Sequence, residues 1–151
     1  FLTEPRLTVF VDEMDDIAMK VHMRHLCQQE QIPVVMATDN GDGVILDVER
    51  FDEEPQRPLF HGRVHFSPDE LHNIDRDTFV RLANEIIDTT QFSKRQLTSI
   101  QNIGRSLSGV PQLGTAALVS GAAAAYAVRR ICLKEPLPSG RYIVSFERTI
   151  A

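Results

Sequence analysis

The hydrophobic positions fall into short runs near both ends of the chain, with longer stripes at helical spacing between them. Leu7, Val9, Phe10 and Val11 make a short, nearly continuous apolar run rich in β-branched and aromatic residues, which predicts a strand covered on both faces. Asp16 to Glu30 follows as a helix with two apolar groups. Met14, Ile17, Ala18 and Val21 fall on one side, Met19, Met23, Leu26 and Cys27 nearly opposite, and Lys20, Arg24 and Gln28 form a polar ridge between them. A helix with two apolar faces needs two partners: the sheet, and a neighbouring subunit or a further part of the protein. Ile32 to Ala37 is a second strand, with Pro33 tolerable at its start. Strand, helix and strand in this order predict one right-handed βαβ unit. Asp39-Asn40-Gly41-Asp42-Gly43 reads as a hairpin turn leading into a third strand, Val44 to Val48. Residues 51–62, FDEEPQRPLFHG, carry two prolines and no period, and read as a surface loop.

The second half is helical until its end. Ser67, Pro68 and Glu70 have the order of an N-cap, a first helical position and a capping-box acid, so a short helix is expected to start there. Asp77 to Asp88 carries one apolar stripe of Phe79, Leu82, Ala83, Ile86 and Ile87. Ser93 caps a third helix with Leu97, Ile100 and Ile103 turned inward, before Gly104, Gly109 and Pro111 break the chain. Gln112 to Leu133 is a long Ala-rich helix, apolar almost all round until Arg129 and Arg130, the pattern of a buried helix. Gly114 and Gly121, on one face of it, would admit a neighbouring backbone. Pro136, Pro138 and Gly140 end it, and Arg141 to Glu147 alternates as a last strand.

At 151 residues the chain is expected to be one domain with room for a core. A net charge of −5 with no basic run argues against a general affinity for nucleic acid or anionic membrane. The most apolar stretch, Leu113 to Val128, is 16 residues, too short to span a bilayer. Cys27 and Cys132 are far apart and form no CxxC, so both are expected as core residues in a reducing, cytoplasmic compartment. The chain opens on Phe1, almost directly in a core strand and with no signal peptide, which suggests a processed or truncated product.

The candidate chemistry gathers where the first strand meets the first helix. Asp12, Glu13, Asp15 and Asp16 crowd that point, and open α/β sheets hold ligands outside the carboxyl ends of their strands. Two readings stand side by side: Asp15 or Asp16 caps the helix and meets its dipole, or the cluster holds a metal or nucleotide. Thr38, Asn40, Asp42, Gly43 and Glu49 partly follow a calcium-loop spacing, but a strand precedes them, and a plain hairpin turn is the expected reading. His22 with His25, and His61 with His65, lack further ligands at zinc spacing and read as partly exposed side chains. No GxSxG, GxGxxG or GxxxxGK[ST] occurs, so the chain has no recognisable nucleophile elbow or phosphate cradle.

VDEMDDIAMK resembles the D-x-x-D-N-x-x-x-R segment of ThiF/MoeB/HesA-like proteins, the bacterial relatives of ubiquitin-activating enzymes. Asp12 falls on the first Asp, Asp15 on the second, Asp16 on the Asn and Lys20 on the Arg. IPVVMAT is similar to the family's next strand, and GTAALVSGAAAAYAVRRICLKEPLPSGRYIVSF to its small-residue helix, G-R pair and last strand. ILDVERFDEEPQRPLFHG is most similar to a subgroup of large ThiF-like proteins fused to a nitroreductase-like domain.

The resemblance covers about residues 7–63 and 104–147. It implies an α/β fold, the carboxyl-terminal half of a doubly wound Rossmann-like sheet with an α-helical insertion, in one partial domain over 1–151. Residues 7–63 would form the βαβ unit, hairpin strand and loop, 64–103 the helical insertion, and 104–151 the Ala-rich helix and last strand. It also implies an adenylyltransferase that uses ATP and magnesium to activate the carboxyl terminus of a small protein or peptide. Asp15, Asp12 and Lys20 would be the nucleotide contacts, with Asp15 on the magnesium. No residue matches a catalytic cysteine. The family's glycine-rich loop and phosphate-holding Arg and Lys precede this segment, so the chain alone is expected to bind no cofactor. The alternative is a non-catalytic ThiF-like module for dimerisation or interaction. The unpartnered apolar faces predict a homo-oligomer, a dimer by expectation.

Overall fold

The computed structural model describes residues 2, 4–66, 71, 74–103, 105–109 and 111–150. The expected helix start at Ser67 lies outside the described residues, as does Gly104. The fold is mixed α/β, with a four-stranded sheet in the order β1-β2-β3-β4. β1 (Phe10–Val11) runs parallel to β2 (Val34–Asn40), with Phe10 opposite Val34. β2 and β3 (Gly43–Glu49) form an antiparallel hairpin through the expected turn, with Asn40 opposite Gly43. β4 (Gly140–Val144) adds antiparallel to β3, with Asp47 opposite Arg141. Gly43 is required there: a Cβ on it would stand 2.0 Å from the Val144 carbonyl oxygen.

β1 is shorter than the apolar run predicts, and it is not covered on both faces. Only two residues pair, and Val11 is 40% exposed at the sheet's edge. The last strand likewise stops at Val144, and Phe146–Ile150 turns into a short helix, α5.

α1 spans Ile17–Gln29. Asp16 caps it by accepting the Met19 N–H at 2.8 Å. Its end is closed by left-handed Gln31 and by the Ile32 N–H on the Cys27 carbonyl at 2.7 Å. The expected two-faced helix is corrected by the structure. Ile17, Val21, Arg24 and Cys27 are buried, whereas Met19 is 44% exposed. The ridge containing Lys20 and Arg24 therefore turns inward, because buried carboxylates wait for it on the sheet.

α2 (Arg76–Ile87) starts on Asp75, which accepts the Thr78 N–H, and ends at left-handed Asp88. α3 (Lys94–Gln101) starts on Ser93 as expected, but it buries no residue, and Leu97 and Ile100 are each 38% exposed rather than inward.

α4 (Gly114–Cys132) lies along one face of the sheet. Ala124, Ala127 and Ile131 pack on Val35, Ala37, Val44, Leu46 and Val48. The prediction of burial all round fails: Leu118 is 77% exposed, and a Cβ at Gly114 or Gly121 would meet nothing within 4 Å. Cys132, expected in the core, is exposed, while Cys27 is buried as expected and its thiol is pushed up to about 11 by that burial.

The opposite face of the sheet carries a second core. Met36 meets Ile17 and Val21 of α1, Phe60, Val64, and Leu82 and Ile86 of α2. The helical segment after residue 64 thus shares a core with the βαβ unit. A third cluster joins Cys27, Ile32, Val34 and Phe51.

Candidate functional site

β1 ends by donating the Asp12 N–H to the Val35 carbonyl at 2.8 Å, and the chain then turns away from the sheet. The Asp12 side chain points inward and is fully buried. One carboxylate oxygen accepts the Met14 N–H at 3.1 Å and the Lys20 ammonium at 3.0 Å; the other accepts Arg24. Burial alone would raise the Asp12 carboxyl, but Arg24 and then Lys20 outweigh it and hold it below the usual carboxylate range. Glu13 behaves oppositely. Its burial pushes the carboxyl up against the opposing pull of the Ala37 N–H, which it accepts at 3.3 Å.

Within the acidic cluster the structure places the cap. Asp16 is the helix cap. Asp15 is exposed, and among the described residues its side chain makes no hydrogen bond or ion pair. Asp12 and Lys20 are brought together, with the Lys20 side chain only 12% exposed. Asp15 stands outside their pairing.

Arg24 is the hub that sequence reasoning missed. Its Nε donates to Glu49 at 2.7 Å, its Nη1 to Asp12 and to the Lys20 carbonyl, and its Nη2 lies 3.5 Å from the Met36 sulfur. The guanidinium also stacks 4.0 Å from the centre of the Phe60 ring. Glu49 completes the circuit by accepting the Phe60 N–H at 2.6 Å. Two carboxylates and two cations balance, which is what allows ionised groups at zero exposure. The strap that carries Phe60 is left-handed at Phe60, His61 and Gly62, with φ of 50°, 59° and 73°. Such a run for two non-glycine residues persists only where surrounding contacts hold it.

A second buried network lies beside the first. Asp47 accepts both Nε and Nη2 of Arg141 at 2.7 Å and faces His61 Nε2 at 3.1 Å. Arg57 donates to His61 Nδ1, so the histidine proton sits on Nε2, facing Asp47. Burial would raise Asp47, but His61 and Arg141 hold it low.

The alternation of β3 places the acidic members of both networks on one face, though it does not reveal their partners. Val44, Leu46 and Val48 face α4, which puts Ile45, Asp47 and Glu49 on the other face of a strand whose every residue is buried. Glu49 is engaged by Arg24 and Phe60, so the calcium-loop spacing reduces to the hairpin turn. His61 is partly exposed as expected, with its side chain only 9% exposed.

The donor set admits a hard cation at one place only in part. Asp15 offers one free carboxylate, enough for magnesium when phosphate oxygens and water supply the rest. Among the described residues no three His, Cys, Asp or Glu side chains converge as a metal site. No glycine-rich loop of the kind that cradles a triphosphate occurs in the sequence. Two open cavities, about 350 and 460 Å³, lie along Pro5–Val9 and between Arg6 and Lys134; neither is lined by Asp12, Asp15 or Lys20.

No helix among the described residues is long and apolar enough to cross a membrane. Neither a family model nor a solved structure matches the chain. An uncharacterized protein of Mycobacterium tuberculosis (strain CDC 1551) is 39% identical over 136 residues, covering 89% of this chain and 19% of the relative. The chain thus spans about a fifth of the length of the curated relative it matches.

Proposed function

We propose that the chain is the carboxyl-terminal part of a Rossmann-like, ThiF-type adenylyltransferase domain acting in the cytoplasm within a longer polypeptide. In that family the domain uses ATP and magnesium to activate the carboxyl terminus of a small protein or peptide. Asp15 would present the magnesium-binding carboxylate, and Asp12 and Lys20 would buttress it. The observation that carries the reading is the division of labour between neighbours. Asp16 caps the helix and Asp12 is consumed by internal ion pairs, while Asp15, on the family's second Asp, has no structural partner. A carboxylate without a structural task at the end of a β-strand is where a ligand contact belongs.

The test is pyrophosphate exchange by a long polypeptide containing this segment, wild type against Asp15→Asn. Exchange is expected to fall about tenfold to a hundredfold. The melting temperature should hold, since Asp15 contributes no contact. Near-normal exchange by the mutant would end this assignment. The chain alone is expected to show no micromolar binding of Mg-ATP in titration calorimetry, because one carboxylate and one lysine do not replace a phosphate-binding loop.

A second reading, a non-catalytic module that self-associates, draws on the exposed outer side of α4, where Leu118 and Tyr126 stand open. It predicts that Asp15→Asn changes nothing and that substitutions on α4 change the oligomeric state.

A further inference from the structure

The left-handed strap is fastened to the sheet through one histidine, which is bonded at both ring nitrogens. His61 Nδ1 accepts Arg57, with Nε at 3.2 Å and Nη2 at 3.0 Å, and Nε2 faces Asp47 at 3.1 Å. A guanidinium only donates, so the Arg57 contact needs a bare lone pair on Nδ1. Two further bonds hold the same strap: Gln28 of α1 donates to the Arg57 carbonyl at 2.7 Å, and the Phe60 N–H donates to Glu49. Phe60 and His61 keep positive φ, which non-glycine residues do only under the grip of their surroundings.

The charged groups about the ring come from several elements. Arg57, itself paired with Glu54, lies on the strap. Asp47 faces the ring from β3, and Arg141 of β4 holds Asp47. Glu49 of β3 and Arg24 of α1 grip the neighbouring Phe60, and Asp88 at the end of α2 pairs with Arg63. A proton on Nδ1 acts in opposite ways on the two sides of the ring. Asp47 attracts the imidazolium through its Nε2–H, whereas the new Nδ1–H meets guanidinium donors of like charge. The ring stays on Asp47 and Arg57 must leave.

We propose that residues 57–62 form a pH-sensitive strap: His61 with a bare Nδ1 keeps Arg57 and the strap closed, and a proton on Nδ1 expels Arg57 and opens it, uncovering the Phe60 side of Arg24. Histidine suits such a switch, because its charge changes between about pH 5 and pH 8. The open strap leaves Nδ1 free, so it binds more protons than the closed one, and opening gains as pH falls.

On the isotopically labelled chain, imidazole nitrogen shifts follow the charge of His61. Hydrogen exchange follows the strap through the Phe60 and Arg63 amides, which are bonded to Glu49 and to the Phe60 carbonyl. From about pH 8 to about pH 5, protection of these amides, corrected for intrinsic exchange, should fall about tenfold as His61 protonates, while amides of β2 and β3 hold. His61→Gln offers an acceptor and a donor that pH does not change, so its strap should stay protected at the lower pH, which separates His61 from Glu49. Arg57→Met removes the group that the proton expels, and serves where the glutamine disturbs the fold. Its strap should be weakly protected to the same degree at both ends of the range. The device is overturned by a His61 that stays neutral throughout, by strap protection that holds while His61 protonates, or by a fall that the sheet amides share. It is equally overturned by a wild-type fall that persists in His61→Gln or Arg57→Met.

Discussion

Arg24 and Lys20 are one turn apart, and both look like ordinary solvated charges in a one-dimensional pattern, since Lys and Arg are rarely buried unless paired. Their partners are what the pattern hides. Asp12 is twelve residues from Arg24 and Glu49 twenty-five, and nothing local signals the pairing. Removing one member should therefore be costly. Arg24→Met alone leaves two buried carboxylates short of a cation, and is expected to lose about 3–5 kcal/mol in urea denaturation. Adding Glu49→Gln should recover much of it, and a single variant within about 1 kcal/mol of wild type would contradict the network. Acid should act through the same groups. Asp12 and Asp47 are both held below the usual carboxylate range, so in acid the unfolded chain binds more protons than the fold. Their contribution is complete above the unfolded value, roughly pH 4, and lost as pH falls through the lower folded values. Melting temperatures from neutral pH downward should fall below about pH 4, and Asp47→Asn should flatten that fall. By contrast, the assignment of Asp16 as cap was within reach of the sequence, because capping depends on neighbours three residues away.

Helices and strands were legible wherever local chemistry sets them. The boundaries of α1 and α3 follow Asp16 and Ser93, and the β2–β3 hairpin follows its Asn-Gly-Asp-Gly turn, while the start of α2 on Asp75 was not singled out. What the pattern did not reveal is which side of an element is covered. α4 is apolar around its circumference, so its sequence gives no preferred side; the sheet chooses the Ala124–Ala127–Ile131 side and leaves Leu118 out. One substitution at two positions tests this. Ala127→Leu pushes into a filled contact with the sheet and should cost about 1–3 kcal/mol. Ala122→Leu, on the exposed side, should stay within about 0.5 kcal/mol when measured below any concentration at which the chain associates. Equal costs at the two positions would mean that the outer side is covered after all.

At the scale of the molecule, the mixed α/β class and the parallel opening pair follow from the strand–helix–strand order, whereas the antiparallel place of the final strand beside β3 was not read from the sequence. The way the two sheet faces divide was not legible, because it depends on whether Asp47 and Glu49 find cations or water: one face is a plain apolar layer under α4, the other a core threaded by ion pairs. The apolar layer has a consequence for the whole chain. Leu118 and Tyr126, 77% and 46% exposed, stand on the outer side of α4. An outer side open at large apolar residues is one that self-association would cover. Two copies meeting through this helix would bring small residues together at close range, with Arg129 and Arg130 over the Tyr126 ring. Light scattering across a dilution series should therefore show a dimer at high concentration that dissociates on dilution. Leu118→Lys places a charge on the outer side of α4 without touching the sheet, so it should shift the series to monomer and leave the melting temperature of the dilute chain unchanged. A wild-type chain that stays monomeric at high concentration would show that this surface is simply solvated, and the self-association reading would fall while the Asp15 assignment remained to be judged by exchange.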